Sequence, residues 1–314
     1  MVARTLPESP ASIAAGEVLV KTPVVSRRIA LPERGVEIAL LDWGGAGPLV
    51  FMHHANGFCA GTLGLVAAAL VPRYRVIGMD ARGHGDSSKP EGPGAYTWSQ
   101  FSADYLAVAE RLADESGDGR VAVGLGHSFG GTTVLGAAAQ RPDLFGRLVL
   151  VDPVIPPPPA MSDAYDADPE RVTRISRLVD GARNRRSVWP SFADAREHFA
   201  KRSLFADWLP EALDLYIEHG LRLRPDGQVE LRCPGEAEAA VFSSSGRLDV
   251  EDLARRAAVS ATVLRASRGS FPPAVYQRVF AAMRGARILE IDCGHLVPME
   301  RPELVIDAVL QGET

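Results

Sequence analysis

The segment Gly126-His127-Ser128-Phe129-Gly130-Gly131 joins a short apolar run, Val121–Leu125, to a helical pattern. A hydroxyl attacks a carbonyl carbon when a base takes its proton and donors await the developing oxyanion. A serine at a sharp strand-to-helix turn meets the geometric half of that demand. Its backbone is strained and its hydroxyl stands clear of the chain. The glycines two residues to either side leave room for the turn. The helix behind it aims backbone N–H groups and its positive end at the reacting group. GxSxG is a weak pattern by itself, but in a strand–turn–helix setting it makes Ser128 the candidate nucleophile. The base must come from seven histidines. His127 neighbours the nucleophile, where a tight turn points its ring elsewhere. His53 and His54 leave a strand on opposite sides, so one is expected to support the loop and the other to face solvent or a pocket. His198 and His219 fall in the middle of the chain. His295 sits in Asp292-Cys293-Gly294-His295-Leu296-Val297-Pro298, just past the last apolar run.

The elements that must carry these residues alternate. Residues 24–31 and 36–43 read as two antiparallel strands joined by a short turn. Apolar runs then appear at Leu49–His53, Arg75–Met79, Val121–Leu125 and Leu148–Val151. Helical patterns separate them at Thr62–Leu70, Ser99–Asp114 and Thr132–Gln140. Short, wholly apolar strands between helices mean a mostly parallel sheet covered on both faces. After Asp152 the rhythm breaks at Pro153 and Pro156–Pro159. Helical patterns follow at Pro169–Asp180, Phe192–Leu204, Pro210–Leu221 and Glu236–Phe242, with no apolar strand run among them. Strands return at Ala261–Ala266 and Arg287–Ile291, with helices near Ala274–Met283 and Pro302–Leu310. The expected organisation is a flexible leader over 1–20, a core over 21–154 and 256–314, and a helical lid over 155–255.

On the Ser128 turn the chain resembles the lidded branch of the α/β-hydrolase superfamily, over about residues 25–314. Asp80-Ala81-Arg82-Gly83-His84-Gly85-Asp86-Ser87 is similar to the turn that builds the loop beside the site in that family, which implies structural work for Asp80, Arg82 and His84. The resemblance implies an α/β-hydrolase fold and a Ser…Asp…His order along the chain, with His295 as the base. It also implies an oxyanion hole made by the backbone N–H groups of Asn56 and Phe129, to which the Asn56 side chain could add a donor. His53-His54-Ala55-Asn56-Gly57-Phe58 departs from the family in carrying Ala55 where glycine is usual. The acid usually follows the strand after the lid, but Arg265-Ala266-Ser267-Arg268-Gly269-Ser270-Phe271 holds no carboxylate. Asp152 ends the strand after the nucleophile helix, where haloalkane dehalogenases and some epoxide hydrolases place their acid. Those relatives attack with aspartate. A serine in that place points to acyl transfer.

Composition sets the outer bounds. A chain of 314 residues that is 46% hydrophobic and 23% charged can bury a large core. A formal charge of −5 leaves no basic footprint for nucleic acid. No run approaches the ~18 apolar residues of a membrane span. Cys59, Cys233 and Cys293 are far apart and fit no zinc spacing, so free thiols in the cytoplasm are expected, with no metal and no cofactor. Arg183-Asn184-Arg185-Arg186 reads as a solvated basic face. Trp189, Phe205 and Trp208 are candidates for an apolar pocket in the lid. The function expected is cofactor-free hydrolysis of a small, apolar carboxylic ester through an acyl-enzyme. A carbon–carbon bond hydrolase or lactonase on the same three residues, or a slow-turnover ligand sensor, is the alternative. The sequence leaves the natural substrate and the oligomeric state open.

Overall fold

A computed structural model describes residues 24–156, 167–244 and 248–311. The expected leader over 1–20 and parts of the 155–255 excursion lie outside the described residues. The strands are β1 Val25–Leu31, β2 Val36–Gly44, β3 Leu49–His53, β4 Arg75–Met79, β5 Val121–His127, β6 Phe145–Val151, β10 Ser260–Arg268 and β11 Ala286–Gly294. They form one eight-stranded sheet in the order β1-β2-β4-β3-β5-β6-β10-β11. β1 and β2 pair antiparallel, as do β2 and β4, and every other neighbour is parallel.

Alternating strand residues feed two separate cores. In β6, Leu148 and Leu150 enter the core on one face, while Val149 and Val151 enter the other. The first face is covered by α2 (Trp98–Ser116) and α3 (Phe129–Ala138), the second by α1 (Gly64–Leu70) and α11 (Pro302–Leu310). The chain leaves β3 toward β4 and returns to β5 on β3's other side. The loops after β3 and β5 therefore part company at the carboxyl edge, where open α/β sheets place their ligands. Those loops carry Asn56 and Ser128.

Between β6 and β10 the described chain forms α4 (Pro169–Asn184), α5 (Phe192–Ala200), α6 (Pro210–Gly220) and α7 (Gly235–Ser243). It also forms a three-stranded antiparallel sheet, β7-β9-β8, of Val188–Trp189, Val229–Leu231 and Leu221–Leu223. The absence of apolar runs hid this sheet. Its strands are two or three residues long, too short to display an alternation. Helix α8 (Val250–Arg256), at the tail of the expected lid, places Val250, Leu253 and Ala254 in the first core. The remaining helices are α9 (Pro273–Phe280) and α10 (Val297–Glu300).

Candidate active site

Helix α3 starts three residues earlier than its apolar pattern, directly behind Ser128. The glycines make this fit. A Cβ on Gly126 would lie 2.3 Å from the Gly130 carbonyl oxygen, and one on Gly130 would lie 2.5 Å from the His53 carbonyl oxygen. Ser128 has φ 58° and ψ −122°. Among the described residues, Ser128 and Asp152 (φ 40°) are the non-glycine residues with positive φ. Backbone strain of this kind persists when neighbours over-determine it. Ser128 N–H donates to the Val151 carbonyl (2.8 Å), and the Ser128 carbonyl accepts from Gly131 (3.0 Å) and Val154 (3.2 Å). Asp152 N–H donates to the Leu264 carbonyl (2.7 Å).

The structure brings Ser128, His295 and Asp152 together. His295 Nδ1 is 2.6 Å from Asp152 Oδ2, and Nε2 is 2.8 Å from Ser128 Oγ. A carboxylate only accepts, so Nδ1–H donates to Asp152 and Nε2 is left to receive the serine proton. The His295 loop is braced from two sides. His127 Nε2 donates to the His295 carbonyl at 2.8 Å. The Glu300 carboxylate accepts the N–H of Gly294 (2.8 Å) and of Leu296 (3.2 Å). Burial, then the neighbouring His295 ring, hold the His127 pKa down at about 3. Its ring stays neutral beside the site. The turn does point the His127 ring away from Ser128, and it brings that ring onto the His295 carbonyl, a contact that the sequence does not reveal.

Asp152 Oδ1 accepts from the Ala266 N–H (3.0 Å) and the Tyr276 hydroxyl (2.8 Å). Burial and the adjacent carboxylate push the Tyr276 phenol well up, which keeps it a donor. A Cβ on Gly269 would sit 2.4 Å from Asp152 Oδ2. The loop after β10 thus makes room for a carboxylate arriving from β6. Glu290 pairs with Arg265 (2.6 Å), and the exposed Asp292 pairs with Arg268 (2.7 Å). Neither Tyr276 nor Glu300 announces itself in the sequence: Tyr276 reaches Asp152 from 124 residues away, and Glu300 stands two residues past the His295 segment with nothing to mark its carboxylate as turned back onto it.

The loop after β3 corrects one expectation. His53 faces neither solvent nor a pocket opening: it is wholly buried, burial lowers its pKa to about 3, and its Nε2 has no partner among the described residues. His54 does support the loop, donating through Nδ1 to the Ala55 carbonyl (2.7 Å) and accepting the Ala81 N–H on Nε2 (2.9 Å). The Asn56 side chain is tied to the excursion, its Nδ2 donating one hydrogen to the Glu238 carbonyl at 3.1 Å. Phe129 is the first residue of α3, a position whose N–H has no acceptor within the helix. In the neighbouring turn Asp80 accepts from the Ala60 and Asp86 N–H groups (2.8 and 2.9 Å), and Arg82 grips Asp104 through two bonds (2.5 and 2.7 Å).

Trp189, Phe205 and Trp208 share one aromatic cluster with Phe58, Phe199, Tyr216, Leu296 and Met299. Trp208 meets Phe58, two residues past Asn56, at 5.4 Å between ring centres. Trp189 lies deeper in the excursion, against His198 (5.5 Å) and Phe199 (5.1 Å). The basic run is not uniformly solvated. Arg183 and Arg186 are exposed, but the half-buried Arg185 pairs with Glu238 at 3.0 Å. Cys59, Cys233 and Cys293 are free and buried. Among the described residues no group of His, Cys, Asp and Glu is placed to hold a metal ion, and no helix is long and apolar enough to cross a membrane.

Residues 45–308 match the alpha/beta hydrolase family. The lipase LipV of Mycobacterium tuberculosis is 31% identical over 239 residues, covering 74% of this chain and 80% of that protein. The 2-(acetamidomethylene)succinate hydrolase of Mesorhizobium japonicum is 31% identical over 136 residues, 43% of this chain and 45% of that one. Among solved structures, E-2-(acetamidomethylene)succinate hydrolase superposes with a TM-score of 0.73 at 20% identity, covering 92% of this chain and 98% of that chain. At that identity the likeness is one of fold.

Proposed function

Because the chain belongs to the alpha/beta hydrolase family, we propose that it cleaves carboxylic esters through an acyl-enzyme, with Ser128 as nucleophile, His295 as general base and Asp152 as the acid that orients it. The observation that carries this reading is the continuous relay from Ser128 Oγ to His295 Nε2 (2.8 Å) and from His295 Nδ1 to Asp152 Oδ2 (2.6 Å). Ser128 Oγ attacks the ester carbonyl carbon while its proton passes to His295 Nε2. The oxyanion rests on the backbone N–H groups of Phe129 and Asn56. The carbon–oxygen bond then breaks, and His295 returns the proton to the departing alkoxide. Water attacks the acyl-enzyme, gives a proton to the same nitrogen, and releases the carboxylic acid and the free serine. Asp152 keeps the imidazole in the tautomer that each step requires and stabilises the imidazolium.

The likeness to a lipase supports an ester as the substrate. The aromatic cluster around Phe58, Phe205 and Trp208 supports an apolar acyl group, with the excursion after β6 serving as a lid over the site. Three free thiols fit a reducing, cytoplasmic setting. The test is Ser128→Ala on a panel of p-nitrophenyl esters. The fold should survive loss of one oxygen, and kcat should fall by ~10⁴–10⁶. A variant that keeps activity within tenfold of the parent contradicts the assignment. Wild-type turnover of lactones or vinylogous diketones but not esters would move the chemistry to the alternative bond.

A further inference from the structure

Helix α7 of the excursion lies directly on the loop after β3. A Cβ on Gly57, where φ is +81°, would meet the Glu238 carboxylate at 2.5 Å. The Asn56 Nδ2 donates to the Glu238 carbonyl (3.1 Å). Trp98 Nε1 donates to the Val241 carbonyl (3.0 Å), three residues on and so on the same face of α7. Ser244 Oγ, just past the helix, donates to the Tyr96 carbonyl (2.7 Å). On the opposite side of the loop stands His84. Its Nδ1 donates to the Arg82 carbonyl (3.0 Å), and its Nε2 accepts the Gly57 N–H (3.0 Å). Burial drives the His84 pKa well below the ordinary value, so the ring is neutral and Nε2 remains an acceptor.

We propose that Asn56 and His84 are positioning residues that fasten the 54–58 loop between the core and helix α7, so that the lid helix fixes the aim of the Asn56 backbone N–H. The Asn56 side chain works as a strut and gives no hydrogen bond to the substrate. An oxyanion donor is effective only when held in place before the charge develops, and small displacements are costly. A loop anchored on the core alone would leave that aim to His54 and His84. Anchored on α7 as well, it makes the catalytic step respond to residues in the lid that never touch the reacting atoms. This inference rests on Ser128 as the acyl-transfer nucleophile.

The test compares Asn56→Ala, Trp98→Phe and the double variant in the full chain. Trp98→Phe removes the second tie between α7 and the core and keeps an aromatic ring there. The strut account expects kcat to fall by ~10-fold for Asn56→Ala, about the worth of one hydrogen bond, and by less for Trp98→Phe, with KM within about twofold. Binding of a trifluoromethyl ketone, whose adduct with serine places an oxyanion in the same position, should weaken in step with kcat/KM. The double variant should lose less than the product of the single losses, because both ties hold one helix. A fall of ~10²–10³ in Asn56→Ala that multiplies with Trp98→Phe would identify the side chain as a direct donor and overturn the strut. Unchanged kcat and ketone binding in Asn56→Ala would overturn it as well. Failure of the underlying reading looks different: the wild-type protein would not bind the ketone, and Ser128→Ala would keep its activity.

Discussion

Replacing Asp152 by asparagine changes one oxygen into an NH2 group and almost nothing else, and the surrounding bonds dictate which oxygen is lost. Asp152 Oδ1 accepts two donors, the Ala266 N–H (3.0 Å) and the Tyr276 hydroxyl (2.8 Å). In the Asp152→Asn variant the amide oxygen is favoured there, since an NH2 facing the Ala266 N–H leaves that donor unsatisfied inside the protein, whereas the Tyr276 hydroxyl can accept from it and donate to the Pro153 carbonyl at 3.3 Å. Such a loss costs about 1–3 kcal/mol. The NH2 therefore turns to His295 Nδ1, where Oδ2 stood at 2.6 Å. Facing a donor, Nδ1 becomes the acceptor and the proton moves to Nε2, the nitrogen that must receive the Ser128 proton. The base is then in the wrong tautomer. One unsatisfied donor, about 1–3 kcal/mol, bounds the population with the amide reversed and the imidazole correct at ~10⁻¹ to 10⁻². The tautomer alone therefore predicts a loss in kcat of at least ~10–10², and loss of the charge that stabilises the imidazolium extends it toward the ~10⁴ met when a triad aspartate becomes asparagine. The assay is kcat on p-nitrophenyl butyrate, with thermal unfolding to verify the fold and Asp292→Asn as the control. Asp292 is exposed and tied to Arg268, so that variant should keep most of its activity. Near-normal turnover by Asp152→Asn, or a severe loss in Asp292→Asn alone, refutes the reasoning.

Acid should destabilise the fold through its buried histidines. His53 and His127 have native pKa values depressed to about 3, while an unfolded histidine titrates near ~6.5. Below that value the unfolded chain binds protons that the native state refuses, so stability falls with pH from about 6.5 toward 3. By linkage each residue costs roughly 2 kcal/mol between pH 6.5 and 5. Thermal unfolding between pH 7.5 and 4.5 reads this slope, and a Tm flat to pH 4.5 contradicts neutral burial. Glu300→Gln replaces one of the two carboxylate oxygens that accept from Gly294 and Leu296. It should lower kcat by ~10-fold with Ser128 still reactive toward phosphonates, and unchanged kcat would remove Glu300 from the support of His295. Trp208→Ala opens the cluster against Phe58 and should shift acyl-chain preference. An equal loss on every ester, accompanied by a lowered Tm, would assign Trp208 to packing alone.

What could be read from the sequence was whatever local pattern controls. The core strands from Leu49 to Val151 are continuous apolar runs because both of their faces are covered, and runs of that kind survive in any reading. The Ser128 turn is equally local, since its glycines are required within two residues of the strain they relieve. Asp152 is legible through the resemblance to hydrolases that carry their acid at the end of the strand after the nucleophile helix, together with the lack of a carboxylate after β10. The reason for that lack, Gly269 lying against the carboxylate, depends on two segments more than a hundred residues apart. The small sheet of the excursion, the burial of His53, and the grip of Tyr276 on Asp152 leave no trace, because each depends on a tertiary partner. Arg185 shows the same limit: within its basic run nothing distinguishes it from Arg183, and partners distant in sequence, Glu238 and the Cys233 carbonyl, draw it inward.

The central claim is that Ser128 is the nucleophile activated by His295 and Asp152. A fluorophosphonate reacts with a serine only where a base and an oxyanion hole are assembled around it, so labelling followed by peptide mass spectrometry interrogates that claim directly. The account predicts one adduct per chain on Ser128, none in Ser128→Ala, and slow labelling in Asp152→Asn. An adduct on another residue, or undiminished ester hydrolysis by a protein that the reagent leaves unlabelled, would contradict it.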